Sequence, residues 1–287
     1  MITGTTKLLG VIGQPVEHSL SPVMHNAALA ALGADFVYLP LPVPRDRLRE
    51  AIQGFAAIGL RGFNVTIPHK QEIMPLLSEI SEVAQAVGAV NTVWATELGW
   101  SGTNTDITGF LAPLRSRQCP CHTALVLGNG GAARAVVAGC TQLGCQKVQV
   151  VGRSLEKLER FQSSWQKSLL PPLLSVHAWD ALPALLPQAD LVVNTTPVGM
   201  SPQTNASPLD DALADCLAQG AIAYDLIYTP SPTRFLQQAT ARGLTTLDGL
   251  EMLVQQGAAA LEIWLEQPAP VEVMRRSLQQ ALSLGQS

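Results

Sequence analysis

The sequence predicts an α/β protein with two domains, and three observations lead to this fold class. Short apolar runs typical of strands alternate with amphipathic helical segments over most of the 287 residues. In the second half, this alternation is typical of a doubly wound parallel sheet of about six strands. The last segment, 249–284, has helical patterning only, and two helices cannot form a core alone. We therefore expect one discontinuous domain of residues 1–106 and 249–287, and a second domain of residues 107–248.

Glycine and proline separate the strand and helix signals of the first half. The expected strands are 7–13, 36–43, 62–67 and 89–96. The expected helices are 22–32, 45–57, 81–87 and 107–117. A further helix is expected to begin at Pro68, because proline suits the first helical turn. Gly99 is expected to form a turn, and residues 101–106 a loop.

The second half continues the alternation, with a helical segment after most strands. The expected strands are 124–127, 148–151, 174–178, 191–196, 221–228 and 244–247. The expected helices are an alanine-rich segment that ends at Gly144, then 155–166, a short helix after residue 178, 208–219 and 233–241. Helical connections of this kind join parallel strands, so these elements predict one parallel sheet.

Composition and charge exclude several classes of protein. Apolar residues make up 47% of the chain and charged residues 14%, which indicates a compact globular protein. The net charge of −4 argues against nucleic acid or a membrane surface as a partner. The first residues lack the pattern of a signal peptide, and no apolar run reaches the roughly 18 residues of a membrane span. The expected location is therefore the cytoplasm.

The cysteines indicate neither a disulfide framework nor a metal site. There are five of them, at positions 119, 121, 140, 145 and 216, and they form no C-x-x-C pair. An odd number without such pairs is typical of reduced thiols in a cytoplasmic protein. The histidines also lack the spacing of metal ligands, so no metal is expected.

A glycine cluster follows the strand at 124–127 and opens a helix. Gly128, Gly130 and Ala133 fill the pattern G-x-G-x-x-[GA]. Gly128 permits the turn, Gly130 lets a pyrophosphate approach the backbone, and Ala133 keeps the helix close to the sheet. The first N–H groups of that helix would point at the phosphates. A strand, glycine turn, helix and second strand in this order predict a Rossmann-like dinucleotide-binding domain.

The residues after the second strand indicate which dinucleotide is bound. An NAD site places an acidic residue about 20 positions after the glycines, where it holds the ribose 2′-hydroxyl. This chain has Arg153 and Ser154 there, and Lys157 one helical turn later. These side chains suit a 2′-phosphate, which a carboxylate would repel. The sequence therefore favours NADP(H), although a solvated helix start would present the same residues.

Polar side chains occur at strand ends and helix starts in the first half, where ligands of α/β sheets bind. Ser19 and Ser21 precede a helix and could hold a small carboxylate, or Ser21 could be only an N-cap before Pro22. Asn64 and Thr66 share one face of a strand. They could bind a polyol or be solvated at a sheet edge.

Lys70 and Asp106 are the candidate acid/base pair. With a helix beginning at Pro68, the Lys70 ammonium would lie in a first helical turn, where the dipole lowers the pKa of lysine. Asp106 ends the segment G-T-N-T-D before a helix, and Asn91 adds an amide at another strand. Lys70 could also be an ordinary surface lysine, and Asp106 an ordinary N-cap.

Eight motifs follow one another along nearly the whole chain: S-L-S-P at 19–22, N-V-T-I-P-H-K at 64–70, G-A-V-N-T at 88–92, G-x-N-T-D-x-x-G at 102–109, G-x-G-G-A-A-R at 128–134, N-T-T-P-x-G-M at 194–200, Y-D-L-I-Y at 224–228 and M-L-V-x-Q at 252–256. Together they resemble the motifs of the shikimate dehydrogenase family, nearly end to end. The resemblance implies NADPH-dependent reduction of 3-dehydroshikimate to shikimate in aromatic amino-acid and chorismate biosynthesis. It also implies a substrate domain split between the N-terminal half and the C-terminal helices.

The resemblance further implies a role for each matching residue. Ser19 and Ser21 would bind the carboxylate, Asn64, Thr66, Asn91, Asp106 and Gln256 the ring hydroxyls, with Tyr228 nearby. Lys70 and Asp106 match the catalytic pair, and Lys70 also lies among the substrate residues. The cofactor residues would be Gly128, Asn129, Gly130, Gly131, Ala132, Ala133, Arg153, Ser154, Lys157, Thr195, Leu226 and Gly249. Asn129 stands where alanine is usual and Ser154 where threonine is common, but neither change removes a needed glycine or hydroxyl.

Three alternatives remain open at this point. The chain could be a dual-specificity quinate/shikimate dehydrogenase, whose substrate carries a further hydroxyl. It could be a non-catalytic NADP(H)-binding regulator on the same fold, although such a protein needs neither Lys70 nor Asp106. It could also be another α/β dehydrogenase with a hinged cleft. In each case the expected partners are small molecules, and the chain is expected to be a monomer or a homodimer.

Overall fold

The computed structural model describes residues 2–115, 117, 121–165 and 174–284. The chain divides into two compact units, which we call unit 1 (Met1–Gly109 and Leu253–Ser287) and unit 2 (Phe110–Met252). Cys119, expected to be a reduced thiol, and Gln166, the expected end of a helix, lie outside the described residues. Within the described ranges, no helix has the length and apolar content needed to cross a membrane.

Unit 1 is built on a mixed sheet. Its strands are β1 (Lys7–Gly13), β2 (Phe36–Pro42), β3 (Gly62–Val65), β4 (Glu79–Ile80), β5 (Thr92–Thr96) and β6 (Gly99–Thr103). Its helices are α1 (Ser21–Ala31), α2 (Leu48–Ala57), α3 (Glu82–Val87), the start of α4 (Asp106–Arg115), most of α10 (Leu250–Leu265) and α11 (Val271–Leu284). The strand order is β2-β1-β3-β5-β6-β4. β1 runs parallel to β2 and β3, whereas β5 is antiparallel to both of its neighbours.

Two expectations for unit 1 are wrong. No α-helix begins at Pro68, because residues 67–73 form successive turns. The backbone there bonds outside a helix, since the Lys70 carbonyl accepts the N–H of Val90 (2.8 Å). Residues 99–103, expected as turn and loop, form β6, which pairs with β5 from Thr96↔Gly99 to Thr92↔Thr103. This segment has no apolar run of its own that would predict a strand. Its extended form depends on pairing with β5.

Unit 2 has a purely parallel sheet in the order β12-β11-β10-β7-β8-β9. Its strands are β7 (Thr123–Leu127), β8 (Lys147–Gly152), β9 (Leu174–Ala178), β10 (Leu191–Asn194), β11 (Ile222–Asp225) and β12 (Thr245–Leu247). Its helices are α5 (Gly131–Gln142), α6 (Leu155–Trp165), α7 (Leu182–Leu185), α8 (Asp211–Ala214) and α9 (Arg234–Ala241). The strand order reverses between β7 and β10, which is the doubly wound arrangement. The predicted fold class is confirmed.

One expected helix of unit 2 is much shorter than predicted. The segment 208–219 contains only α8, which Asp210 caps by accepting the N–H of Leu213. The turns after α8 carry Leu217 into the same core as Leu209 and Ala214. Burial of these side chains determines the path of the segment, so helical spacing misled the prediction.

Candidate active site

Lys70 and Asp106 lie in contact within unit 1. The Lys70 Nζ donates to Asp106 Oδ2 at 2.5 Å, and the two side chains are 16% and 8% exposed. The turn around Lys70 and the first residue of α4 hold the two groups in place. A buried charge is costly unless it is paired, so separating the two groups would leave an unpaired buried charge. The surface-lysine interpretation of Lys70 is therefore wrong.

Asn91 connects this pair to the rest of the polar cluster. Its Nδ2 lies 2.8 Å from Asp106 Oδ1, 3.0 Å from Thr105 Oγ1 and 3.4 Å from Gln256 Oε1. Its Oδ1 accepts the N–H of Thr105 at 2.7 Å. Both oxygens of Asp106 thus have partners, one from Lys70 and one from Asn91. The carboxylate is an organised acceptor, which is more than the ordinary N-cap that its sequence position allowed.

Asn64 lies on β3, between β1 and β5, and is buried. Its Nδ2 donates to the Asn91 carbonyl and to Thr92 Oγ1, both at 3.2 Å. A central strand excludes the interpretation of Asn64 as a solvated edge residue. Thr66 lies just beyond the end of β3 and is partly buried.

Tyr38 orients the Asn64 side chain through a hydrogen bond. Its hydroxyl donates to Asn64 Oδ1 at 2.7 Å, and the side chain is completely buried. Burial raises the pKa of Tyr38 well above its usual value, and a hydrogen bond with the Ser21 side chain offsets part of that rise. Sequence reasoning missed Tyr38. The available signal was a tyrosine inside an otherwise apolar strand, because a buried hydroxyl needs a partner.

Ser19 and Ser21 flank the start of α1. The Ser19 Oγ accepts the N–H of Ser21 at 3.3 Å. Ser21 is the first helical residue, and the N-cap position belongs to Leu20, which makes no side-chain cap. The interpretation of Ser21 as an N-cap is therefore wrong. Through Tyr38, Ser21 adjoins the cluster of Asn64, Asn91, Asp106 and Lys70.

The glycine turn of unit 2 has the shape of a phosphate-binding turn. Gly128 follows β7 with φ +103°, and a Cβ there would lie 2.8 Å from Thr195 Oγ1, so a side chain does not fit. Gly130 is the N-cap of α5 and no side chain caps it, while no atom lies within 4 Å of a Cβ built on it. Gly131 and Ala132 begin α5, and Ala133 is fully buried. The first N–H groups of α5 therefore have no side-chain cap.

Thr195, Leu226 and Gly249 each follow the carboxyl end of a strand of the parallel sheet, namely β10, β11 and β12. The Thr195 Oγ1 and N–H both donate to the Leu127 carbonyl, at 2.7 and 2.9 Å, where the strand order reverses. A Cβ on Gly249 would collide with the Leu226 carbonyl, so only glycine fits. Tyr228 is partly buried three residues after β11, in unit 2 and so in a different unit from the Lys70 cluster.

Arg153, Ser154 and Lys157 follow the end of β8. Arg153 and Lys157 are exposed, and the Ser154 Oγ accepts the N–H of Lys157 at 3.4 Å. Among the described residues, no carboxylate forms an ion pair with either cation. Asn129 approaches the end of β8, since its Oδ1 lies 3.4 Å from a Cβ built on Gly152. Two hydrated cations at this strand end suit an anionic ligand group.

A doubly wound unit with a phosphate turn, and a second unit with a buried lysine–aspartate pair, define a pyridine-nucleotide-dependent dehydrogenase. The family model for the shikimate dehydrogenase substrate-binding domain matches residues 11–93, and that for the shikimate 5′-dehydrogenase C-terminal domain matches residues 249–279. The chain is 61% identical to the shikimate dehydrogenase (NADP(+)) of Trichormus variabilis over 99% of this chain and 100% of that one. It belongs to the shikimate dehydrogenase family.

Solved structures agree with this assignment. A shikimate dehydrogenase from Thermus thermophilus, in complex with NADP(H) and shikimate, matches with TM-score 0.85 and 35% identity over 96% of this chain and all of that one. A quinate dehydrogenase from Corynebacterium glutamicum, in complex with NAD, matches with TM-score 0.87 and 30% identity over 96% of this chain and 99% of that one. The two neighbours share the fold but differ in substrate and cofactor.

Proposed function

We propose that this chain catalyses the reversible, NADPH-dependent reduction of 3-dehydroshikimate to shikimate, in the pathway to chorismate and the aromatic amino acids. The observation that carries the proposal is the buried Lys70–Asp106 contact, which Asn91 holds within a cluster of amide and hydroxyl groups. The near full-length identity to NADP-dependent shikimate dehydrogenases supports the same reaction.

The substrate is a ring that carries a carboxylate, a ketone and two hydroxyls, and unit 1 supplies groups for each. We assign the carboxylate to the hydroxyls of Ser19 and Ser21. The Asn64 Oδ1 and both Asp106 oxygens each accept one side-chain donor and can accept one more, which suits ring hydroxyls. For these we assign Asn64, Thr66, Asn91, Asp106 and Gln256, with Tyr228 of unit 2 as a further substrate residue.

Unit 2 fits NADP(H). The open face at Gly130 and the uncapped start of α5 suit a pyrophosphate. Arg153, Ser154 and Lys157 suit a 2′-phosphate, and the strand end lacks the acidic residue that an NAD site uses. Bound NADPH supplies the hydride. We assign Thr195, Leu226 and Gly249 to the nicotinamide end. A Cβ on Gly249 would collide with the Leu226 carbonyl, so this position carries no side chain.

Lys70 and Asp106 carry the proton chemistry. As negative charge grows on the ketone oxygen, the Lys70 ammonium stabilises it and donates the proton. Asp106 holds that ammonium in position through Oδ2, while Asn91 fixes the other oxygen. In the reverse direction, the same lysine takes the proton of the alcohol. Positioning in this way replaces a random encounter by a fixed geometry, which is a large part of a catalytic advantage.

The decisive experiment measures NADP reduction by absorbance with shikimate as substrate, beside quinate and beside NAD. We expect shikimate with NADP to give the highest kcat/KM. Efficient NAD-linked oxidation of quinate would instead favour the quinate dehydrogenase that the structural neighbour represents. Absence of any shikimate-dependent turnover would favour a non-catalytic nucleotide-binding protein.

We further propose that the enzyme is cytoplasmic and acts as a monomer or a homodimer. An odd number of cysteines without a C-x-x-C pair is typical of a protein of a reducing compartment. Light scattering coupled to gel filtration distinguishes the two assemblies by mass.

A further inference from the structure

Three cysteines of unit 2 lie together at the end of the sheet where the strands begin. The Sγ atoms of Cys121 and Cys145 are 2.8 Å apart. Cys140, on α5, is fully buried beside them, and its carbonyl accepts the N–H of Cys145 at 3.1 Å. The proposed reaction uses none of these thiols. They therefore need a separate explanation.

The backbone places Cys121 and Cys145 opposite each other. In the parallel pair of β7 and β8, Thr123 is in register with Lys147. Cys121 stands two residues before Thr123, and Cys145 stands two residues before Lys147. The His122 carbonyl accepts the N–H groups of Gln146 (2.8 Å) and Lys147 (3.0 Å), which ties the two segments together at the thiols. Neighbouring strands are about 4.8 Å apart, within the Cα separation of about 4.4–6.8 Å that a disulfide spans. A bond between the two sulfurs thus needs little movement.

The surroundings also make one of the two thiols the nucleophile. Hydrogen bonds from the thiols of Cys121 and Cys140 lower the pKa of Cys145, because they stabilise its thiolate. A hydrogen bond with the Cys145 side chain, together with burial, raises the pKa of Cys140 well above the usual value. Cys121 and Cys145 keep 7% and 8% exposure, whereas Cys140 has none. Cys145 therefore has the more nucleophilic thiol, and Cys121 is the thiol in sulfur–sulfur contact with it.

We propose that Cys121 and Cys145 form a reversible disulfide by exchange with an oxidised low-molecular-weight thiol. The Cys145 thiolate attacks one sulfur of the small disulfide and displaces one thiolate, which leaves a mixed disulfide on the protein. Cys121 then loses its proton to solvent and attacks Cys145 Sγ, and the second small thiolate leaves. Two protein thiols are oxidised, and one small disulfide is reduced to two thiols.

The bond would stabilise unit 2 without touching the nucleotide site. The pair lies at the amino ends of β7 and β8, whereas Gly128 and Arg153 follow the carboxyl ends of the same strands. The cross-link joins residues 24 positions apart, so it restricts the unfolded chain around β7 and α5. Oxidation is therefore expected to raise the Tm and to leave the KM for NADP unchanged.

The experiment treats the folded full-length chain with glutathione disulfide and maps its disulfides by mass spectrometry. We expect a Cys121–Cys145 cross-linked peptide, loss of two thiols per chain, and full reversal by dithiothreitol. Cys121→Ser and Cys145→Ser should each abolish the cross-link. Cys216→Ser is the matched control, because in the described residues its thiol hydrogen-bonds to the Ala212 carbonyl and to no other cysteine, and it should keep the cross-link.

Three results would overturn the proposal. The first is a cross-link from Cys145 to Cys140 or Cys119 in place of Cys121. The second is glutathione adducts that persist without an internal bond. The third is no loss of thiols while circular dichroism shows a folded protein. A Tm that is a few degrees higher after oxidation, in the wild type and Cys216→Ser but not in Cys121→Ser, would support the stabilising role.

Discussion

The two units present their cationic side chains in opposite ways. Lys70 of unit 1 is 16% exposed and bonded to Asp106, which in turn is bonded to Asn91. Arg153 and Lys157 of unit 2 are exposed, and the described residues give them no carboxylate partner. The first arrangement is suited to chemistry, because its groups are already oriented. The second is suited to binding, because its charges stay hydrated until an anion replaces the water.

This difference determines how each unit should respond to substitution. Removing one member of the Lys70–Asp106–Asn91 cluster leaves a buried charge or amide unsatisfied, so these effects should be large and coupled. Removing one exposed cation should weaken only the binding of the phosphate that it contacts. Added salt should have a similar effect, because it screens exposed charges. Four experiments test this contrast.

The largest effect is expected from Lys70→Ala. Loss of the proton donor should lower kcat by about 10² to 10⁴, the usual range for general acid–base catalysis, with a much smaller change in the KM for shikimate. Steady-state kinetics in both directions measure this. Lys147→Ala removes an exposed lysine on β8 and serves as the control with unchanged kcat. A variant at position 70 with wild-type kcat would refute the assignment of Lys70.

Arg153→Ala is expected to raise the KM for NADP by about tenfold to a hundredfold, since a hydrogen bond to a charged group contributes about 1.5–3 kcal/mol. The KM for NAD should not rise, because NAD lacks the 2′-phosphate. The matched control is Arg160→Ala on α6, the helix that follows Arg153, where the Arg160 guanidinium pairs with Glu156. Added salt should raise the KM for NADP more than that for shikimate. Equal losses with both nucleotides would mean that Arg153 does not contact the 2′-phosphate.

Acid should act on the two units with opposite sign. His25 of unit 1 is fully buried, and burial lowers its pKa from 6.5 to about 3. Below pH 6.5 the unfolded chain takes up a proton and the folded chain does not, so unfolding becomes easier. From pH 7 to 5, this costs about 2 kcal/mol of unfolding free energy. Burial raises the pKa of Asp225 in unit 2 to about 6, so this group instead stabilises the folded chain as pH falls through 6.

His25→Phe tests this prediction, since a phenyl ring keeps the stacking on Tyr38, whose centroid lies 4.2 Å away. Denaturant unfolding at pH 7 and pH 5 should show a smaller loss of stability for the variant than for the wild type. An equal loss in both proteins would assign the acid sensitivity to other groups.

Tyr38→Phe should have the smallest effect. It removes the hydrogen bonds of the Tyr38 hydroxyl with Asn64 and Ser21, so the KM for shikimate should rise about three- to tenfold, with a smaller change in kcat and none in the KM for NADP. Tyr224→Phe is the matched control, because the Tyr224 hydroxyl is buried without a partner among the described residues. A change in the KM for NADP in place of shikimate would contradict the role of Tyr38.

The accuracy of the sequence-based predictions depended on the range of the interaction involved. The turn at Gly128 and the βαβ unit around it are local, so spacing and glycine chemistry were sufficient to predict them. The helix expected at Pro68 and the long helix at 208–219 were wrong, because backbone bonds to Val90 and burial of Leu217 come from distant parts of the chain. Strand β6 was missed for the same reason, since its extended form depends on pairing with β5.

The sequence by itself determined the doubly wound alternation, the phosphate turn, the preference for a 2′-phosphate and the candidate pair of Lys70 and Asp106. These depend on residue type and short spacing. Only the tertiary structure decided that the two charges meet at 2.5 Å, that Asn91 holds the second Asp106 oxygen, and that Tyr38 lies behind Asn64. Burial and hydrogen bonding between residues far apart in the chain depend on how the strands of the sheet are ordered, and no short segment contains that information.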